Sequence, residues 1–146
     1  MTHDEQRLRR LEDIEEIRRL KAAYCAVADD DHNGEALTTL FVADGVWSAS
    51  ISGVFEGHDA MRGHFDAIRA SGRIRFSSHM VMNPVIDVDG DTASGTWSLL
   101  MMYTGADGSK VRIVGFYRDT YRRVDGRWRF ATLHAQVQDH EVRPAV

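Results

Sequence analysis

Residues 93–137, ASGTWSLLMMYTGADGSKVRIVGFYRDTYRRVDGRWRFATLHAQV, decide how this chain folds. Ala93 to Thr104 reads as one long strand and Lys110 to Val124 as another, with Ala106-Asp107-Gly108-Ser109 turning between them. Asp125-Gly126 then turns the chain into Arg127 to Val137. An Asp-Gly pair adopts the positive φ values that a two-residue hairpin demands. Upstream, Arg73 to Val81 is a further strand candidate, and Val85 to Val88 leads into the tight turn Asp89-Gly90-Asp91. Adjacent long strands joined by hairpin turns predict a meandering antiparallel sheet.

Helices precede this sheet. Thr2 and Glu5 have the spacing of a capping box, and acids fill the first turn. Leu8, Leu11, Ile14, Ile17, Leu20, Tyr24 and Val27 recur at steps of three or four, an apolar stripe along one long helix that packs on a core. Asp29-Asp30-Asp31-His32-Asn33-Gly34 interrupts it as a solvated turn, with Asn33 as cap for a short second helix, Glu35 to Phe41, burying Leu37, Leu40 and Phe41. Asp44-Gly45 marks a turn, Val46 to Ile51 a strand, and Gly57-His58-Asp59 opens a third helix that Ser71-Gly72 closes. Three helices followed by a long meander pack most economically as an α+β cone. The sheet curves strongly around the helices, which cover only part of its concave face and leave a pocket.

The 146 residues suit a single domain spanning 1–146. No apolar run approaches a membrane span, and the charged start Met1-Thr2-His3-Asp4-Glu5 lacks a signal peptide's apolar stretch, which predicts a cytoplasmic protein. A net charge of −4, with arginines interleaved among acids, argues against a nucleic-acid partner. Cys25 is the sole cysteine, so no intrachain disulfide forms. His58, His64, His134 and His140 stand at no metal-ligating spacing, and no Gly-rich phosphate loop is present; neither metal nor cofactor is expected.

The stretches IRRLKAAYCAVADDD, LTTLFVADGVW, FEGHDAMRGHF, SSHMVMNPVIDVDGDTASGTW and GFYRDTYRRVDGRWRF occur in the order seen in SnoaL-like domains of the nuclear-transport-factor-2-like superfamily, which the chain resembles over residues 8–137. The resemblance to its dehydratase and dehydrochlorinase members implies an acidic residue after helix one and a histidine on the first long strand. The histidine position matches His79. Counting backwards from Leu37 and Phe41 selects Asp30 as the acid, and counting forwards from Tyr24 selects Asp29; both stand as candidates. The same resemblance implies a cofactor-independent lyase or isomerase, and a homodimer or homotrimer associated through the convex sheet face. A non-catalytic ligand-binding or accessory module is the alternative.

The chemistry fits these residue types. Elimination beside a carbonyl needs a base for a carbon-bound proton and donors for the developing enolate oxygen. A neutral imidazole at His79 suits the base, and a carboxylate on its other ring nitrogen fixes the tautomer. Tyr24, on the apolar stripe, is a candidate oxygen donor. By period two, Ile113, Gly115, Tyr117, Asp119, Tyr121 and Arg123 share one face, which makes Tyr117, Asp119 and Arg123 candidate pocket residues. Gly115 is read as leaving space where the dehydratase pattern has a hydroxyl. Trp47, Phe55, Trp97, Met101 and Tyr103 are candidate walls for a small, ring-sized, largely apolar ligand.

Overall fold

Helix α1 (His3–Asp29) starts where Thr2 Oγ1 accepts the Glu5 N–H at 3.1 Å while Glu5 carboxylate accepts the Thr2 N–H at 2.6 Å, a complete capping box. This computed structural model describes residues 1–146. Helix α2 (Gly34–Thr38) is one short turn, capped by Asn33 Oδ1, which accepts the Ala36 N–H at 3.0 Å. Strands β1 (Phe41–Ala49) and β2 (Gly53–Glu56) form a hairpin, followed by helix α3 (Gly57–Ser71). Strands β3 (Ile74–Asp89), β4 (Thr92–Gly105), β5 (Lys110–Val124) and β6 (Arg127–Arg143) complete the chain.

The six strands lie in the order β2-β1-β6-β5-β4-β3, a curved sheet that does not close, with the helices against its concave side. This is an α+β cone. The meander β3 to β6 is antiparallel, but β1 runs parallel to β6, so the sheet is mixed rather than wholly antiparallel. The parallel pair follows from connectivity: α3 and four strands intervene between β1 and β6, too long a path for a hairpin to dictate direction.

Other expectations are corrected locally. Phe41 does not end the second helix; it opens β1 opposite Phe130, whose N–H donates to the Leu40 carbonyl at 2.8 Å. The two strand candidates around Asn83-Pro84 are one strand, β3, whose register shifts between Met82 and Val85. Asn83 has φ 55° there, and Pro84 lacks an N–H for the ladder, so a bulge absorbs both without ending the strand. The stripe on α1 reaches the core only from Ile17 onward, because Leu8 and Leu11 are 58% and 65% exposed on a helix that outruns the sheet. No helix is long and apolar enough to cross a membrane.

Cross-strand register sorts the inward side chains into layers. His79, Met101 and Ile113 stand in one row across the sheet, then Val81, Leu99 and Gly115. Trp97, Tyr117 and Ala135 follow, and below them come Asp119 and Leu133. Gly115 is a point of closest approach rather than a gap. A Cβ built there would lie 2.0 Å from the Gln136 carbonyl oxygen, at the β5–β6 register shift. Gly115→Ala is therefore expected to lower stability by at least about 2 kcal/mol, since backbone must move to admit the methyl group, and urea denaturation measures it.

Candidate functional site

Asp29 is the last residue of α1, and its carboxylate is spent entirely on β3. Oδ1 is 2.6 Å from His79 Nδ1, the His79 backbone N–H donates to both oxygens at 3.1 and 2.9 Å, and Ser77 Oγ donates to Oδ1 at 2.9 Å. Edge position makes this possible: β3 is the last strand of the sheet, so its outer N–H groups have no neighbouring strand. Burial acts to raise the Asp29 carboxyl, but the bonds from the His79 ring, the His79 N–H and Ser77 outweigh it and hold the group below its ordinary value. A carboxylate only accepts, so Nδ1 carries the proton, and in the neutral form of the ring the lone pair belongs to Nε2.

Of the two aspartates left open by counting, it is Asp29 that reaches His79. Asp30 caps α1 from outside, its carboxylate accepting from Asn33 Nδ2 at 2.9 Å.

Beside His79 lies a cavity of about 450 Å³, mostly apolar in lining. Tyr24, Trp47 and Tyr117 form its deeper wall, and Met101 and Tyr103 stand on the His79 side. Trp47 Nε1 donates to Tyr24 Oη at 3.0 Å, which leaves the Tyr24 hydroxyl proton free to donate elsewhere. Burial pushes both the Tyr24 and Tyr117 phenols up, so each stays protonated. Cys25 is pushed up to about 11 by burial, which keeps it a thiol.

Four further candidates stand outside this cavity. Phe55 stacks on His64 with ring centroids 4.0 Å apart, backing Trp47 instead of facing the void. Trp97 donates to Tyr121 Oη at 3.0 Å, within the packed core below the cavity. Asp119 does face inward, but its Oδ2 lies 2.8 Å from Lys21 Nζ in a pair with no exposed side-chain surface, beneath Tyr117. Arg123 keeps the expected parity yet sits at the far end of the cone, where it bonds both Asp13 oxygens at 2.7 and 3.2 Å and Asp91 at 2.9 Å. That latch ties the first half of α1 to two hairpin ends. Strand parity gives a side chain's face and not its depth, which is why both residues share the pocket's side without reaching it.

His32 is a buried polar lining residue that sequence reasoning missed. The turn it occupies has two successive left-handed residues, Asp31 at φ 48° and His32 at φ 52°. This geometry swings the His32 ring inward, where it packs edge-on to Phe65 at 5.2 Å and lies 6.4 Å from the His79 ring. No periodic pattern announces such a turn; three adjacent aspartates before it read simply as solvent.

Burial, with the His79 ring nearby, lowers His32 from 6.5 to about 4, against the smaller opposing pull of Asp31 and Asp29. The unfolded chain then binds the proton more readily than the folded one between these values. Stability is complete above pH 6.5 and falls as pH drops toward 4, by up to about 3 kcal/mol for this group. Urea denaturation of wild type and His32→Asn at both ends of that window is expected to show the extra loss in wild type alone.

Nowhere do three His, Cys, Asp or Glu side chains converge as a metal-ligating group. The family model described as SnoaL-like domain matches residues 9–134. Among curated proteins, none matches the sequence. Solved structures resemble the chain over nearly its whole length. One, designated a candidate scytalone dehydratase from Novosphingobium aromaticivorans, is 27% identical with a TM-score of 0.81, covering 93% of each chain. An NTF2-like protein with a cystatin-like fold from the same organism is 29% identical with a TM-score of 0.76, over 95% of this chain and 90% of that one. A hexachlorocyclohexane dehydrochlorinase is 18% identical with a TM-score of 0.85, over 95% and 94%; at that identity the likeness concerns the fold.

Proposed function

We propose, from the premise that the chain belongs to the SnoaL-like domain family, that it is a cofactor-independent lyase of the dehydratase type acting on a small cyclic, largely apolar carbonyl compound. The observation that carries this reading is the 2.6 Å bond between Asp29 Oδ1 and His79 Nδ1 at the wall of an apolar cavity. It leaves Nε2 as a base with its tautomer fixed and its incipient positive charge matched by a carboxylate.

In the proposed reaction, His79 Nε2 takes the proton from the carbon beside the carbonyl, and the electron pair enters the enolate. Tyr24 and Tyr117 hydroxyls donate to the enolate oxygen, which is the group that gains charge. The enolate then re-forms the carbonyl as the adjacent C–O bond breaks and a C=C bond forms. The proton held by His79 returns to the departing hydroxyl, giving water. Without a leaving group, returning the proton at a different carbon gives isomerisation by the same base.

Exchange in heavy water tests the base directly. Cyclic ketones such as β-hydroxycyclohexanone, incubated with the full chain, are expected to exchange the proton beside the carbonyl far faster than in buffer, followed by proton NMR, with enone formed where the hydroxyl can leave. Saturable binding with no exchange above buffer would assign the chain to the binding-module alternative.

Phe76, Met82 and Met102 are exposed on the outer face of β3 and β4, and we place self-association as a dimer or trimer there. Sedimentation of Met102→Lys at a concentration where wild type is assembled is expected to give the monomer.

A further inference from the structure

His32 is built into the pocket rather than left at its rim. It keeps only 6% of its surface exposed and lines the same cavity as His79. The side chain forms no hydrogen bond within the chain, yet neither ring nitrogen is among the sealed, unpartnered atoms; only His64 Nε2, Asp119 Oδ1 and Arg122 Nε are. A core histidine satisfied by its surroundings would have a protein partner. Here the ring nitrogens are unsealed and the side chain lines the void.

The backbone that aims this ring is costly for a residue with a Cβ, and it is held in place from three directions. Arg69 donates to the Asp31 carbonyl at 2.9 Å and the Asp30 carbonyl at 3.1 Å. Asn33 bonds Asp30 with its amide nitrogen and caps α2 with its oxygen. The His32 N–H reaches back to the Ala28 carbonyl at 3.2 Å. A turn with no purpose for its side chain would use glycine or asparagine at these φ values.

We infer that His32 is a substrate-binding residue: an uncharged N–H donor that hydrogen-bonds an oxygen substituent on the ring of the same ligand whose carbon faces His79. The inference deepens the reading proposed above and names a feature of the substrate class, a hydroxyl or carbonyl oxygen within one or two bonds of the reacting carbon. Spacing supports it. At 6.4 Å between centroids the two imidazoles are too far apart to bond each other, and one small ring can touch both. The groups facing His32 are His79, Asp29 and Asp31 along with His64 of α3, and their balance with burial leaves His32 uncharged at neutral pH. A neutral donor pairs with a neutral oxygen without the desolvation that an imidazolium would incur.

β-Naphthol, a bicyclic phenol that carries one oxygen and no leaving group, is the probe. Its fluorescence follows binding to the full chain, and nitrogen NMR of the histidine rings follows contact. Wild type is expected to bind it saturably, with the His32 ring signals shifting in proportion. His32→Gly, which removes the ring and relaxes the left-handed backbone, is expected to weaken binding at least about tenfold. His32→Asn, which keeps a donor and tolerates the same φ, is expected to stay within about threefold. Absence of saturable binding to wild type, unmoved His32 signals at saturation, or equal affinity for His32→Gly would each overturn the proposal. Because naphthol binding requires no proton transfer from carbon, wild type that binds it through His32 but exchanges no ketone protons removes the base and leaves this donor. Exchange-competent protein with unaltered His32→Gly affinity does the reverse.

Discussion

If the chain acts as the proposed lyase, the His79→Ala protein is expected to turn over a cyclic ketone that passes the exchange test at least about a hundredfold more slowly than wild type, with KM changed far less. The ring removed is the one that lines the cavity while its Nδ1 is held by Asp29. A loss confined to KM would make His79 a binding group. Asp29→Asn is expected to lie between the two, because an amide can still accept from Nδ1–H but supplies no charge to match an imidazolium. That variant also weakens the bonds to the His79 N–H and Ser77, so its melting temperature must be read alongside its rate. Asp30→Asn is the control. Its carboxylate faces Asn33 at an exposed turn, and its turnover is expected to stay within about twofold of wild type. Steady-state kinetics on whichever ketone passes the exchange test measures all three.

That control exists because counting along the sequence stopped one residue short of an answer. Tyr24 and Leu37 bracket a turn whose length can be read, but whose path cannot. Asp29 closes α1 and so points where the helix face points, whereas Asp30 has left the helix at φ −84° and ψ 56°. One residue of helix decides which carboxylate meets β3. The same limit hid His32, since the left-handed turn at Asp31 and His32 is braced by Arg69, a residue thirty-odd positions away along the chain, which donates to the Asp30 and Asp31 carbonyls.

Local periodicity was sufficient elsewhere. Alternation along β5 put Ile113, Tyr117, Asp119 and Tyr121 on the buried face, and all four are buried. The Asp-Gly turn at 125–126 takes φ values of 51° and 77°, as a tight hairpin requires. What alternation omits is depth along the cone, which depends on how strands are staggered. Arg123 and Asp119 share Tyr117's parity but lie in layers below the cavity, each paired with an α1 side chain that stands off the apolar stripe. Asp13 and Lys21 are those side chains. Both stand among arginines and glutamates whose charge suggests an exposed face, and only the sheet's curvature encloses them.

Lys21 is the extreme case, and replacing it alone is expected to produce the largest loss of stability in the protein. Its ammonium lies 2.8 Å from Asp119 Oδ2 and 3.4 Å from the centre of the Tyr117 ring, with no exposed side-chain surface on either partner. Burial lowers the Lys21 ammonium and raises the Asp119 carboxyl despite their mutual attraction, so desolvation outweighs the pairing on both sides. Lys21→Met leaves Asp119 held by Tyr121 alone, with Oδ1 already lacking any partner. Asp119→Leu leaves a cation among three aromatic rings. Each single change is expected to cost about 3–5 kcal/mol in urea denaturation, because an unmatched charge stays buried. The double variant Lys21→Met/Asp119→Leu removes both charges, and its stability is expected to exceed that of either single variant. Additive losses in the double variant would mean that the pair holds α1 to the sheet through more than charge. With recovery, the same double variant also separates stability from chemistry: the cone stands without its buried cation, and any remaining fall in turnover measures what that charge contributes through the Tyr117 ring.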